Sequence, residues 1–295
     1  MSAPSGRALG GATLFVLGVF LMACMDATTK YLVAHHPAPM VVALRYIVHC
    51  LLMVLLLAPS QGRRLLQARR RGLVLLRAAC LAVASLSMTL ALQRMPVAET
   101  TAIVFLFPML VVLLAGPLLQ ERVGRHGWLA AVAGFIGVLL IARPGGGLDA
   151  IGVVLALCAA AANAIYHLLS RMLASTESTV SLMFHTALVG AVCFGAWLPW
   201  VWSGPVPSPM HLALFCCTGL LAGVGHFLFT AAHRQAPASA LAPLQYVQLL
   251  WAGLLGWLVF NHVPDGSGAL GMSIIAVAGI AAALGSRFVA RRPEP

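Results

Sequence analysis

Charge is what this chain has least of. Only 7 of its 295 residues are acidic and 8% are charged, where soluble domains carry roughly 25% charged residues. So little polar surface excludes an ordinary water-soluble globule. The shortage of acids also removes most routes to catalysis. Asp26 has no second carboxylate near it in the chain, so paired-acid chemistry has no candidate. There is no Cys-x-x-Cys or His-Glu-x-x-His motif, no phosphate-binding loop and no serine in a nucleophile elbow. No metal or other cofactor is expected. Aromatic residues are sparse as well, at 7%. The formal charge of +11 therefore lacks the basic, aromatic-rich surface on which nucleic acid would bind.

What the chain has in excess is apolar length. Hydrophobic residues make up 61% of it. A hydrocarbon core about 30 Å thick takes roughly 20 such residues per helix. Ten runs qualify, near 12–34, 40–57, 73–92, 97–119, 128–141, 151–173, 180–201, 210–232, 238–260 and 269–284. Proline and glycine clusters separate most of them, as at His36-Pro37-Ala38-Pro39 and Arg143-Pro144-Gly145-Gly146-Gly147. The fold class expected is all-α, a polytopic membrane protein in contact with the lipid bilayer. Most of the seven cysteines fall inside these runs, which fits small buried thiols rather than a disulfide framework. Arg7, the first apolar run and Leu21-Met22-Ala23-Cys24 imitate a lipoprotein leader. An uncleaved first helix is the expectation.

The plan of residues 91–143 returns about 141 positions later, over 232–287: Pro96 falls on Pro237 and Phe105 on Tyr246. A repeat of this kind divides the chain into two five-helix modules, 1–144 and 148–288, with a short basic tail at 289–295. Arginine placement orients them. The join 61–71 carries five arginines, whereas its counterpart in the second module, 203–209, carries no charge. With the N-terminus in the cytoplasm, both termini lie inside, and equivalent joins face opposite sides of the membrane. That is the pattern of inverted repeats, built for alternating access around a site near the midplane. A bacterial inner membrane is the expected location.

Two stretches carry a family resemblance. PMLVVLLAGPLLQERVGRHGWLAAVAGFIGVLLI has a helix with an internal proline, a Glu in the turn after it, then a helix rich in small residues. MDATTKYLVAHHPAPMVVALRY places a Lys inside the first span and an Arg inside the second. Both resemble the EamA module of the drug/metabolite transporter superfamily, and the resemblance covers nearly the whole chain. It implies metabolite import or export without ATP. One departure is visible: Asn261-His262 stands where the first module has Glu121-Arg122, so that turn cannot make equivalent ionic contacts in both halves.

Ionisable residues at membrane depth tend to face the bundle interior or a water-filled cavity. Asp26 and Lys30 lie one helical turn apart. At 1.5 Å per residue, Asp26 sits roughly 12 Å and Arg45 roughly 8 Å from the outer helix ends, within reach of each other. An Asp26–Lys30–Arg45 cluster at the outer rim of a cavity would bind substrate charges; the bland alternative is a permanent ion pair with Lys30 reaching outward. The repeat maps Asp26 onto His167 and Lys30 onto Arg171. His167 is a candidate proton-sensitive group or a packing residue.

Gln245, Gln248 and Trp251 recur at intervals of three with Tyr246 beside them. Amides and aromatic faces suit a neutral or zwitterionic organic molecule, or serve simply as interhelical packing. Phe105 belongs to the corresponding wall in the first module. Pro108 and Pro243 remove backbone hydrogen bonds inside their helices and mark kinks or gates. Glu99 would favour the start of its helix or meet a substrate amine. Small-residue faces serve packing within and between chains alike, which leaves a homodimer open. The class best fitted is a secondary transporter of small organic solutes such as amino acids, their derivatives or flavin-like aromatics. An intramembrane enzyme or a non-transporting sensor or scaffold is the alternative.

Overall fold

The structure, a computed structural model, describes residues 4–119, 125–142, 147–173, 176–202, 205–235 and 242–290. The turn at Glu121-Arg122, most of the glycine-rich join and the end of the basic tail lie outside them. Among the described residues every regular element is helical. In order these are α1 (Pro4–Val33), α2 (Ala38–Gln61), α3 (Arg71–Arg94), α4 (Val97–Val104), α5 (Phe107–Leu119) and α6 (Arg125–Ala142). Then come α7 (Ala150–Leu173), α8 (Thr179–Val201), α9 (Pro209–Gln235), α10 (Val247–Phe260) and α11 (Gly266–Ala290). Six helices are long and apolar enough to cross a membrane, and Val97–Val111, Val132–Ile141, Leu244–Phe260 and Gly266–Ala278 are shorter apolar helices. Helices suit such a sequence because each closes its own backbone hydrogen bonds where water is absent. The protein is an integral, multi-pass membrane protein.

Helix ends are set by local chemistry. Ser178 accepts the Ser181 N–H at 3.2 Å to start α8, and Asp149 Oδ1 accepts the Gly152 N–H at 2.7 Å to start α7. Asn261, at φ 52°, closes α10 with a left-handed turn in which the His262 N–H reaches the Gly256 carbonyl at 3.1 Å. The segments around the two marked prolines are broken rather than kinked. Phe105 and Leu106 interrupt the expected 97–119 helix, and Pro108 then occupies the first turn of α5, where its missing N–H costs no hydrogen bond. Pro243 likewise lies in a 3-10 turn, Ala242–Tyr246, that precedes α10.

Helix neighbours recur with the repeat. α1 packs along α9 and α3 along α7, which are equivalent pairings in the two halves; α2 packs on α8 and α6 on α11, each with its own counterpart. Two positions show how close the last pair comes. A Cβ on Gly137 would stand 2.8 Å from the Gly271 carbonyl, and one on Gly271 would stand 2.5 Å from that of Gly137.

Contacts between joins sort into two ends of the bundle. At one end His36 meets His211 at 2.8 Å, Arg94 meets Asp149 at 3.4 Å and Glu99 meets His262 at 2.8 Å. At the other, the carboxylate of Glu177 accepts the backbone N–H groups of Arg69 and Arg70, at 3.1 and 2.8 Å, and Ser181 donates to the Gln67 carbonyl at 2.7 Å. This second end carries the arginine-rich join.

Candidate functional site

A cavity of about 370 Å³ lies between the two halves. Asp26 of α1, Arg45 of α2, and Arg77 and Ser85 of α3 line it from the first half, with Thr101, Phe105 and Phe107 from the broken segment. The second half contributes Asn163, Tyr166 and His167 of α7, His226 of α9, and Gln245 and Gln248. It extends to Glu177 and Thr179, at the arginine-rich end of the bundle. The volume is at the lower end of the range for small-molecule pockets.

Asp26 and Arg45 are each 6% exposed, and both face this space. They feel each other electrostatically, yet form no ion pair within 4.0 Å. Asp26 instead accepts a long hydrogen bond, 3.4 Å, from the Gln248 amide, a residue 222 positions away and itself 8% exposed. Arg45 makes no hydrogen bond among the described residues. Its guanidinium carbon lies 5.7 Å from the Tyr46 ring centroid, and the Tyr46 hydroxyl is 2.9 Å from Ser85 Oγ.

Arg77, one helix over, is treated very differently. Its Nε donates to Ser170 Oγ at 2.6 Å, its Nη2 to the Tyr166 hydroxyl at 2.7 Å, and its Nη1 to the Leu182 carbonyl and Thr186 Oγ1 at 3.1 and 2.9 Å. It ties α3 to α7 and α8. Spacing and composition do not single out Arg77, Tyr166, Asn163 or Ser170 as cavity residues. Arg77 falls inside the apolar run 73–92 rather than flanking it, and that was the available signal.

Repeat-equivalent residues meet across the middle. The rings of Phe105 and Tyr246 are 5.8 Å apart in an edge contact. The Asp26–Gln248 contact has its counterpart in His167 and Phe107, whose rings stack at 4.7 Å with 10° between planes. One side of the cavity is therefore acidic and amide-bearing, and the equivalent side is aromatic.

Several expected site residues lie elsewhere. Lys30 does not join Asp26 and Arg45: its ammonium donates to the carbonyls of Leu92 and Met95 at 2.5 and 2.8 Å, capping the end of α3. The exposed carbonyls of that helix end are the nearest strong acceptors, and they draw Lys30 away from the cavity. Trp251 leaves the glutamine stripe and packs edge-on against Phe20, 4.9 Å between centroids, because Gln245 belongs to the 3-10 turn and the spacing is not that of one helix. Tyr246 is buried in the apolar core against Phe105 rather than on the cavity wall. Pro108 and Pro243 lie at the breaks, within the first turn of α5 and before α10 respectively. Glu99, buried in the first turn of α4, pairs with His262.

These residues are groups suited to binding a polar solute. The cavity brings together the carboxylate of Asp26, an open guanidinium, amides and stacked rings, with Glu177 at its mouth. Among the described residues no group of three His, Cys, Asp or Glu side chains is placed to hold a metal. The EamA-like transporter family model matches residues 9–143 and again 150–284. The chain belongs to the EamA-like transporter family. Relatives within reach carry different solute names. The S-adenosylmethionine uptake transporter of Rickettsia prowazekii (strain Madrid E) is 26% identical over 272 residues, 90% of each chain. The riboflavin transporter of Rhizobium johnstonii (strain DSM 114642 / LMG 32736 / 3841) is 32% identical over 191 residues, 62% of this chain and 61% of that one. The pseudopaline exporter CntI of Pseudomonas aeruginosa (strain UCBPP-PA14) is 26% identical over 278 residues, covering 92% and 95%. A crystal structure superposes with a TM-score of 0.68 over 97% of this chain and 99% of the other, at 20% identity, so the two chains share a fold.

Proposed function

We propose that this EamA-family protein is a secondary transporter that carries a small organic solute by alternating access between two inverted five-helix modules, 1–144 and 148–288. The six long and four shorter apolar helices support a count of ten spans. The sorting of join contacts to two ends, with the arginines gathered at one, supports cytoplasmic termini and a bacterial inner membrane.

The observation that carries the reading is the cavity itself. It lies between the repeats, holds buried polar groups from both, and reaches the surface at one end. At the other end the Lys30 cap on α3 and the Glu99–His262 pair close the bundle. Such a state faces the cytoplasm, and rocking one module against the other would open the opposite end. Asp26, Arg45, Phe105, His167, Gln245 and Gln248 are the proposed solute contacts, suited to amino-acid-like, neutral or zwitterionic molecules or to flavin-like aromatics. The relatives' names include both uptake and export, so the proposal covers flux in either direction.

An enzyme would convert its substrate in detergent. A carrier needs a sealed compartment. Purified protein in sealed vesicles, screened with labelled amino acids and riboflavin, should give saturable flux that disappears when the vesicles are made leaky. Chemical conversion without a sealed compartment, or no flux above protein-free vesicles, would reject the proposal.

A further inference from the structure

We propose that Arg45 is the carboxylate anchor of the cavity and that, with Asp26 holding the ammonium group, it commits the site to solutes with an α-amino-acid head. This rests on the carrier reading and narrows it. The argument begins with a guanidinium that has nothing to hold. Arg45 is 6% exposed, lines the cavity and makes no hydrogen bond among the described residues, although a guanidinium offers five donors. A buried cation left this way is costly unless something arrives to satisfy it.

The protein holds its other cavity guanidinium with its own groups. Arg77 has four hydrogen bonds, to Ser170, Tyr166, Thr186 and the Leu182 carbonyl. The repeat equivalent of Arg45 is Thr186, which serves Arg77 at 2.9 Å. Arg45 thus stands where the other half supplies a ligand. The nearby negative group, Asp26, is close enough to act through its field but not to make an ion pair.

A zwitterionic head resolves this arrangement. Its carboxylate matches the fork of Arg45 in a bidentate contact. Its ammonium finds Asp26, whose oxygens among the described residues accept one long bond, from Gln248, and the Gln248 carbonyl oxygen beside it. Two charges that make no ion pair with each other become two contact pairs. Glu177 does not compete as a counter-charge: it stands at the mouth and is held by the backbone N–H groups of Arg69 and Arg70. The Phe107–His167 stack on the equivalent side then offers a flat surface to the solute's side chain.

The test separates head-group recognition from carriage. Thermal unfolding of the purified full-length protein is followed with L-phenylalanine and L-leucine, each against its own amide, which keeps the ammonium and side chain and loses the carboxylate. The acids should bind at least about tenfold more tightly than the amides, as expected for a charged hydrogen-bonded pair. Arg45→Gln should bring that ratio close to one, and Arg45→Lys should restore part of it while the unliganded protein melts as before. Amides that bind as well as the acids, a ratio that survives in Arg45→Gln, or no binding by either acid would overturn the proposal. Riboflavin flux in sealed vesicles that ignores Arg45→Gln would leave the carrier reading standing and the head-group assignment lost. Absence of any sealed flux would remove the carrier reading itself.

Discussion

Arg45 and Arg77 are both buried at 6% exposure, both line one cavity, and both sit on helices of the first module. Among the described residues one has four protein partners and the other has none within hydrogen-bond distance. The difference separates two uses of a charge inside a membrane. Arg77 is internal structure, a bracket across α3, α7 and α8. Arg45 is a group prepared for something that comes and goes. Lys30 belongs with Arg77, since its donors are spent on the carbonyls that end α3.

The contrast can be broken most forcefully at Arg77. Arg77→Met takes a donor from Ser170, Tyr166, Thr186 and the Leu182 carbonyl at once, and should destabilise the protein by about 2–4 kcal/mol in denaturation of the detergent-solubilised chain. Arg77→Lys should rescue little, because one ammonium cannot reach all four. Arg45→Gln should do the reverse. Stability should change by less than about 1 kcal/mol, while transport of a carboxylate-bearing solute falls about tenfold or more. If the two variants behave alike, the distinction is gone. Lys30→Met should cost about 1 kcal/mol by uncapping α3, with the solute preference of the remaining protein unchanged. Altered selectivity in that variant would return Lys30 to the site.

The smallest effect concerns the turn before α2. Its His36 lies against His211, and partial burial together with His211 and His35 holds its pKa below the usual histidine value. A lowered pKa means that the folded state binds fewer protons than the unfolded one. Stability should therefore slip as pH falls through about 6.5. Melting temperatures at pH 7.5 and 5.5 should differ slightly more for the native protein than for His36→Gln.

Much of this molecule is readable from its residues. The apolar runs 40–57, 73–92, 151–173, 180–201 and 210–232 coincide with α2, α3, α7, α8 and α9 to within a few residues because length and hydropathy decide them in lipid. The runs 97–119 and 238–260 are instead interrupted by turns. The 141-residue repeat foretold that Phe105 would have Tyr246 as its counterpart, and the two touch. Asp26, Arg45, His167, Gln245 and Gln248 were all visible as polar residues at depth, and all face the cavity. What could not be read was pairing over distance. The Gln248 contact to Asp26 spans 222 positions and the Lys30 contact to Leu92 spans 62, so helix spacing says nothing about either. Trp251 was misplaced because a period of three was read as one helical face, whereas the backbone changes from a 3-10 turn to an α-helix between Gln245 and Trp251. Arg77 is hard to read for another reason: arginine near a helix end is first of all an orientation signal.

Alternating access is the claim on which the rest depends, and thiol accessibility tests it directly. Ser85 lines the cavity, so Ser85→Cys in a background lacking the seven native cysteines gives one reporter inside it. A membrane-impermeant thiol reagent should reach this position from the arginine-rich side of sealed vesicles. With Glu99→Gln loosening the closed end, it should also react from the opposite side. Labelling from one side alone, with and without Glu99→Gln and across the solute panel, would contradict the account.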